Sequence, residues 1–189
     1  VVKTDRLPLP GETKLGGHFL MNAGGKGANQ AVTVSRLGGD ITFITKVGND
    51  IFGKQTIKRL KKENVNTDFV FIDDQEPSGI ALIMVNEDGE NCIVVAPGAN
   101  SNLLPRDIES VKNISDAEIV LMQLEIPIET VSSVVKMANT NNMRVILNPA
   151  PAQKLDDELL KGLFLITPNE TEAFILTGTL VEDEKTAEQ

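Results

Sequence analysis

Apolar residues recur along the chain at two spacings. After Asn22-Ala23-Gly24-Gly25-Lys26-Gly27, the residues Ala28, Ala31, Val32, Val34 and Leu37 fall at helical intervals. Gly38-Gly39 then offers a left-handed stop. Ile41 to Val47 is β-branched and reads as a strand. Asp50 can cap a following helix that carries Ile57 and Leu60 inside and Lys58, Arg59, Lys61 and Lys62 on a solvated outer face. Gly79 to Val85 and Asn91 to Ala96 are apolar runs around Asn86-Glu87-Asp88-Gly89-Glu90, a hairpin signal.

Beyond Gly98 the pattern alternates regularly. Pro105 opens a helix to about Asn113, and Ile119 to Leu124 is a strand. Pro127 opens a helix to about Asn139, and Arg144 to Leu147 is a strand. A short helix over Asp156–Lys161 precedes a strand over Leu163–Ile166. Asn169 to Leu176 is a helix closed by Gly178, and a last helix starts at Glu182 and runs to Gln189. Strands alternating with helices predict parallel units, and the apolar strands at 119–124, 144–147 and 163–166 predict cover on both faces. Val1 to Thr4, Lys14 to Met21 and 79–96 break the alternation, so segments 1–21 and 79–96 read as an antiparallel addition to the main sheet.

Composition narrows the classes. The 189 residues are 41% hydrophobic, enough for one globular domain. A net charge of −9 argues against a nucleic-acid binder. No apolar run approaches the length of a membrane span. The single cysteine, Cys92, has no internal disulfide partner, which fits a reducing cytoplasm. It reads as a small apolar residue in a strand. The one histidine, His18, lies in an extended segment with no evident acid partner.

Chemistry concentrates at the glycine stretch and at strand ends. Gly24-Gly25-Lys26-Gly27 opens a helix, whose free N–H groups face the loop. Lys26 and Asn29 suit a hydroxyl-rich or anionic ligand, although a flexible loop with an incidental lysine fits equally. A phosphate-binding P-loop is excluded, since Gly27 follows Lys26 and Leu20 stands where the earlier glycine is required. A dinucleotide fingerprint fails at Gln30. Glu125, Asn148 and Asn169 follow three successive strands and point to a shared crevice beyond their carboxyl ends. Asn169 and Glu172 lie one helical turn apart and read either as a capping box or as oxygen ligands around Mg²⁺.

Gly24-Gly25-Lys26-Gly27-Ala28-Asn29-Gln30-Ala31 resembles the N-terminal signature of the ribokinase branch of the PfkB family of carbohydrate kinases. Met122-Gln123-Leu124-Glu125, Asn148-Pro149-Ala150-Pro151-Ala152 and Thr167-Pro168-Asn169-Glu170-Thr171-Glu172-Ala173 follow in the family's order. The resemblance implies a Rossmann-like three-layer α/β sandwich with a small β-sheet lid made by segments 1–21 and 79–96. It implies ATP-dependent phosphorylation of D-ribose to ribose 5-phosphate, or of another sugar or nucleoside. It carries over Gly25, Lys26, Asn29 and Glu125 as sugar contacts, Asn169 as a nucleotide or phosphate contact, and Asn169 with Glu172 at Mg²⁺. Ribokinases pair through their lids, so a homodimer through residues 13–21 and 79–96 is expected. The family's first strand, with its sugar-binding Asn and Asp, and its Gly-Ala-Gly-Asp-type motif have no counterpart here. The expectation is therefore a partial chain, with the catalytic base, adenine pocket and monovalent-cation site beyond Gln189. Taken literally as a fragment, the chain would bind sugar or dimerise without turnover.

Overall fold

The computed structural model describes residues 1–111 and 114–188. Elements in chain order are β1 (Val2–Lys3), β2 (His18–Phe19), α1 (Lys26–Arg36), β3 (Thr45–Gly48), α2 (Ile51–Lys62), β4 (Val70–Asp73), β5 (Ile80–Val85) and β6 (Asn91–Ala96). A 3-10 turn at Gly98–Asn102 leads to α3 (Pro105–Glu109), and a second at Ile114–Asp116 leads to β7 (Ile119–Met122). Then come α4 (Ile128–Thr140), β8 (Arg144–Leu147), α5 (Asp157–Lys161), β9 (Leu165–Ile166), α6 (Glu170–Thr177) and α7 (Glu184–Ala187).

The caps explain most boundaries. Asp50 accepts from Gly53 N–H at the start of α2, and Asp156 accepts from Leu159 N–H at the start of α5. Gly178, at φ 77°, ends α6 in the left-handed conformation. Gly16 and Gly17, at φ 103° and 102°, break the extended segment expected over 14–21, leaving only His18–Phe19 as strand. The helix opened by Pro105 ends at Glu109, and the expected ends at Asn113 and Gln189 lie outside the described residues. β4 has no counterpart in the sequence reading. It pairs in parallel with β3, from Thr45↔Val70 to Gly48↔Asp73, so β3–α2–β4 is a parallel unit.

Side chains alternate along the run that leads into β3. Ile41 and Phe43 pack with Ala31, Leu60 and Val65 of the α1–α2 layer, whereas Ile44 packs with the α4 layer. Helices therefore cover both faces there. The sheet β7–β8–β9 is parallel throughout, with α4 and Leu159 of α5 over Val120, Met122, Val145, Leu147 and Ile166. Its other face corrects the expectation of double cover: Ile119 is 46%, Leu121 38% and Leu165 47% exposed. The reason is that the helices after β7 and β8 both return over the same face, while α6 buries no residue.

The remaining strands form one sheet in the order β2-β1-β5-β6. β5 and β6 are the expected antiparallel hairpin, from Ile80↔Ala96 to Val85↔Asn91. The sheet is mixed rather than antiparallel, because β1 runs parallel to β5. Val2, Phe19, Leu82, Met84, Cys92 and Val94 share one face by register. Cys92 thus lies in a strand, as expected, but exposed.

Candidate active site

α1 begins without a side-chain cap. Gly25 precedes it at φ 92°, a backbone conformation that side-chain-bearing residues rarely adopt, and its first turn carries no acid. The missing acceptor comes from far along the chain. Glu125, just beyond β7, accepts from Lys26 N–H through Oε2 at 2.8 Å. A carboxylate at that position meets both a free amide and the positive end of the helix dipole. Gly25, Lys26 and Glu125 are thereby brought together. The side chains of Lys26 and Asn29 are exposed on one helix face, one turn apart. Asn29 lines a small pocket with Ala23, Gly24, Thr56 and Arg59.

Three contacts hold this loop that the sequence reading missed. Gln123 donates through Nε2 to Gln30 Oε1, joining β7 to α1. At Gly27 an added Cβ would lie 2.9 Å from Gln123 Oε1 and 3.3 Å from Phe43 Cε2, so α1 packs closely here and a larger residue would make the end of the Gln123 side chain shift. Arg59 is exposed on the solvated face with Lys58, Lys61 and Lys62, as expected, and its Nη1 also donates to Ala23 O at 3.1 Å.

The strand ends are tied to one another. Asn148 N–H donates to Met122 O at 2.9 Å, Leu124 N–H to Ala150 O at 3.0 Å, and Asn148 Nδ2 to Thr167 O at 3.0 Å. Asn169 and Glu172 form the reciprocal capping box. Glu172 N–H donates to Asn169 Oδ1 at 2.8 Å, and Asn169 N–H to Glu172 Oε2 at 2.9 Å. Among the described residues no hydrogen bond joins this pair to the glycine loop, and no three His, Cys, Asp or Glu side chains converge as a metal centre. The cap leaves oxygen acceptors exposed at the crevice end of α6.

A largely buried ion pair joins β3 to the first turn of α3. Lys46 Nζ donates to Asp107 Oδ2 and to Asn102 O, each at 2.8 Å. Asn102 Nδ2 donates in turn to Asp73 Oδ2 at 2.8 Å. That amide, followed by the N–H groups of Glu76 and Gln75, holds the Asp73 carboxyl at about 2. The pair had a sequence signal: Lys46 shares a strand face with Ile44, so its charge enters the core side and requires an acid.

Known proteins resemble the chain over nearly its whole length. The chain is 44% identical over 188 residues to the ribokinase of Haemophilus influenzae, covering 99% of this chain and 61% of that protein. It is 38% identical to the deoxyribokinase of Salmonella typhi, over 96% of this chain and 60% of that protein. The structure of Arabidopsis thaliana ribokinase complexed with ribose and ATP superposes with a TM-score of 0.87 at 34% identity, over 100% of this chain and 62% of that one. The fold is thus the ribokinase-like three-layer α/β sandwich expected from the sequence. The chain spans about three fifths of the length of these relatives. Residues 1–189 match the family described as pfkB family carbohydrate kinase, and the chain belongs to that family.

Proposed function

We propose that the parent protein of this chain uses ATP to phosphorylate D-ribose at its 5-hydroxyl. The observation that carries the reading is the 44% identity to a ribokinase across nearly the whole chain. The parent protein is the unit of activity in this reading. Residues 1–189 form one incomplete ribokinase-like domain, and the sheet β2-β1-β5-β6, from segments 1–21 and 79–96, is its lid. Gly25, Lys26 and Asn29 contact the sugar. Glu125, through its bond to Lys26 N–H, fixes the loop that presents them and offers its second oxygen to a hydroxyl. Positioning of this kind is the main protein contribution to phosphoryl transfer.

Asn169 and Glu172 face the nucleotide phosphates. Their donors fit Mg²⁺, because they are hard oxygens and this ion takes one or two carboxylates while keeping water and phosphate ligands. When bound, Mg²⁺ neutralises charge on the transferred phosphoryl group. The lid carries apolar side chains on both faces, with Leu82 and Val94 on one and Ile93 and Val95 on the other exposed. A two-fold homodimer through the lid would cover one of them. The cytoplasm suits a chain whose single cysteine has no internal partner. Among the described residues no helix is long and apolar enough to cross a membrane.

The test is a coupled assay of the parent protein. Ribose-dependent ADP release is expected at typical enzyme rates, on the order of 1–10³ s⁻¹. Asn29→Ala removes a partner of a sugar hydroxyl, so ribose affinity should fall roughly five- to hundredfold. A strong preference for 2-deoxyribose or a nucleoside over ribose would overturn the substrate assignment.

A further inference from the structure

Distant segments also converge at the foot of the four-stranded sheet. The chain enters β5 through Pro77-Ser78-Gly79 and leaves β6 through Pro97-Gly98-Ala99. Ala99 N–H donates to Pro77 O at 2.8 Å. Gly98 stands at φ 49°, and a Cβ there would lie 2.2 Å from Pro77 O, so the two roots touch backbone to backbone. Ser78 between them is buried, at 7% exposure.

One carboxylate gathers this knot. Ser78 N–H donates to Asp50 Oδ2 at 2.8 Å, and the Ser78 hydroxyl donates to Asp50 Oδ1 at 2.8 Å. That hydroxyl also accepts from Gly48 N–H at 3.0 Å. Asp50 Oδ1 accepts from Gly53 N–H at 2.8 Å and so caps α2. A helix cap needs one oxygen. The second oxygen of Asp50 is taken by the root of the sheet. These donors, Gly53 N–H first and Ser78 N–H next, hold the Asp50 carboxyl below its ordinary range.

The geometry gives that anchor leverage. Past the root, β6 is exposed along its whole length and β5 over its first half. Six-residue strands reach about 20 Å, so a change of about 10° at the root moves the far end by about 3.5 Å. We propose that Asp50 is a positioning residue for sugar binding. Through Ser78 it sets the angle at which the lid leaves the body, and it does not touch the sugar. The proposal rests on the lid reading given above.

Asp50→Asn in the parent protein separates the two duties. Asparagine is a good N-cap, but its amide would set a donor against Ser78 N–H. Amide hydrogen exchange should quicken across Ile80–Val85 and Asn91–Ala96 and stay unchanged in α4. The ribose KM should rise roughly tenfold, the loss expected of a hydrogen bond to a charged group, with the ATP KM and Tm unchanged. Ser78→Ala should move the same readouts in the same direction by less, and decides the matter should Asp50→Asn not fold. Unchanged exchange in β5 and β6 would overturn the proposal whatever sugar the protein uses. Accelerated exchange with an unchanged ribose KM, in a wild type that turns ribose over, would overturn it as well. So would ribose and ATP KM values that rise together with a falling Tm, since Asp50 would then support the whole fold and not the lid in particular.

Discussion

The sheets β7–β8–β9 and β2-β1-β5-β6 are built from the same residue types and end up in opposite surroundings. Val145 and Leu147 are fully buried, whereas every residue of β6 is exposed. Composition does not separate Ile-Val-Leu-Met of β7 from Ile-Ala-Leu-Ile-Met-Val of β5. Topology does. Joining β7 to β8 in parallel requires a crossover, and the crossover helix α4 lays its own apolar stripe on the sheet. Joining β5 to β6 takes only the turn Asn86–Glu90, which closes the ladder and covers nothing. A parallel unit thus brings half of its own core with it, and a hairpin must find its cover elsewhere.

The comparison is tested most severely in the body. Leu147→Ala should empty a site with no room to collapse and cost about 2–5 kcal/mol, read from the urea midpoint of the parent protein. A loss below about 0.5 kcal/mol, the level of an ordinary surface change, would erase the contrast between the sheets. A different effect is expected of Leu82→Lys combined with Met84→Lys. Stability should move little, because Leu82 is 65% exposed, but sedimentation at micromolar concentration should show monomers in place of dimers. A monomeric wild type would mean that the lid finds its cover in some other way. Glu172→Gln should have the smallest effect on stability. Glutamine keeps the capping box of α6, so Tm should hold while the Mg²⁺ titration shifts to higher concentration. Lost Tm with a normal titration would make Glu172 a cap alone.

Local chemistry made much of this legible from the sequence. Asp50, Asp156 and Asn169 announce helix starts because a short polar side chain reaches its own backbone, and Gly178 announces an end. The hairpin turn is equally local. β4 escaped although Val70-Phe71-Ile72 carries the same β-branched and aromatic signal as the strands that were read. At the site, Gly25 and Glu125 were individually visible as candidates, but not the bond between Glu125 and Lys26. Its acceptor is a side chain and its donor a main-chain N–H 99 residues away, and a backbone amide has no signature in a sequence. The same holds for Arg59, whose partner is the Ala23 carbonyl. Double cover of the β7–β8–β9 sheet was inferred from its apolar strands, which record what a sheet requires and not which segment supplies it.

The ties across the strand ends give the crevice an elastic asymmetry. Asn148 N–H to Met122 O, Leu124 N–H to Ala150 O and Asn148 Nδ2 to Thr167 O stitch β7, β8 and β9 together past the end of their ladder. That wall resists splaying. The four-stranded sheet opposite leaves the body only through its root at Ser78 and through the loop that joins β2 to α1. A ligand held between them compresses two springs in series, one stiff and one soft, and the soft one takes nearly all the displacement. On the sugar-kinase reading proposed above, a sugar bulkier by one hydroxyl would then register as a change of lid angle, with the strand ends left where they stand.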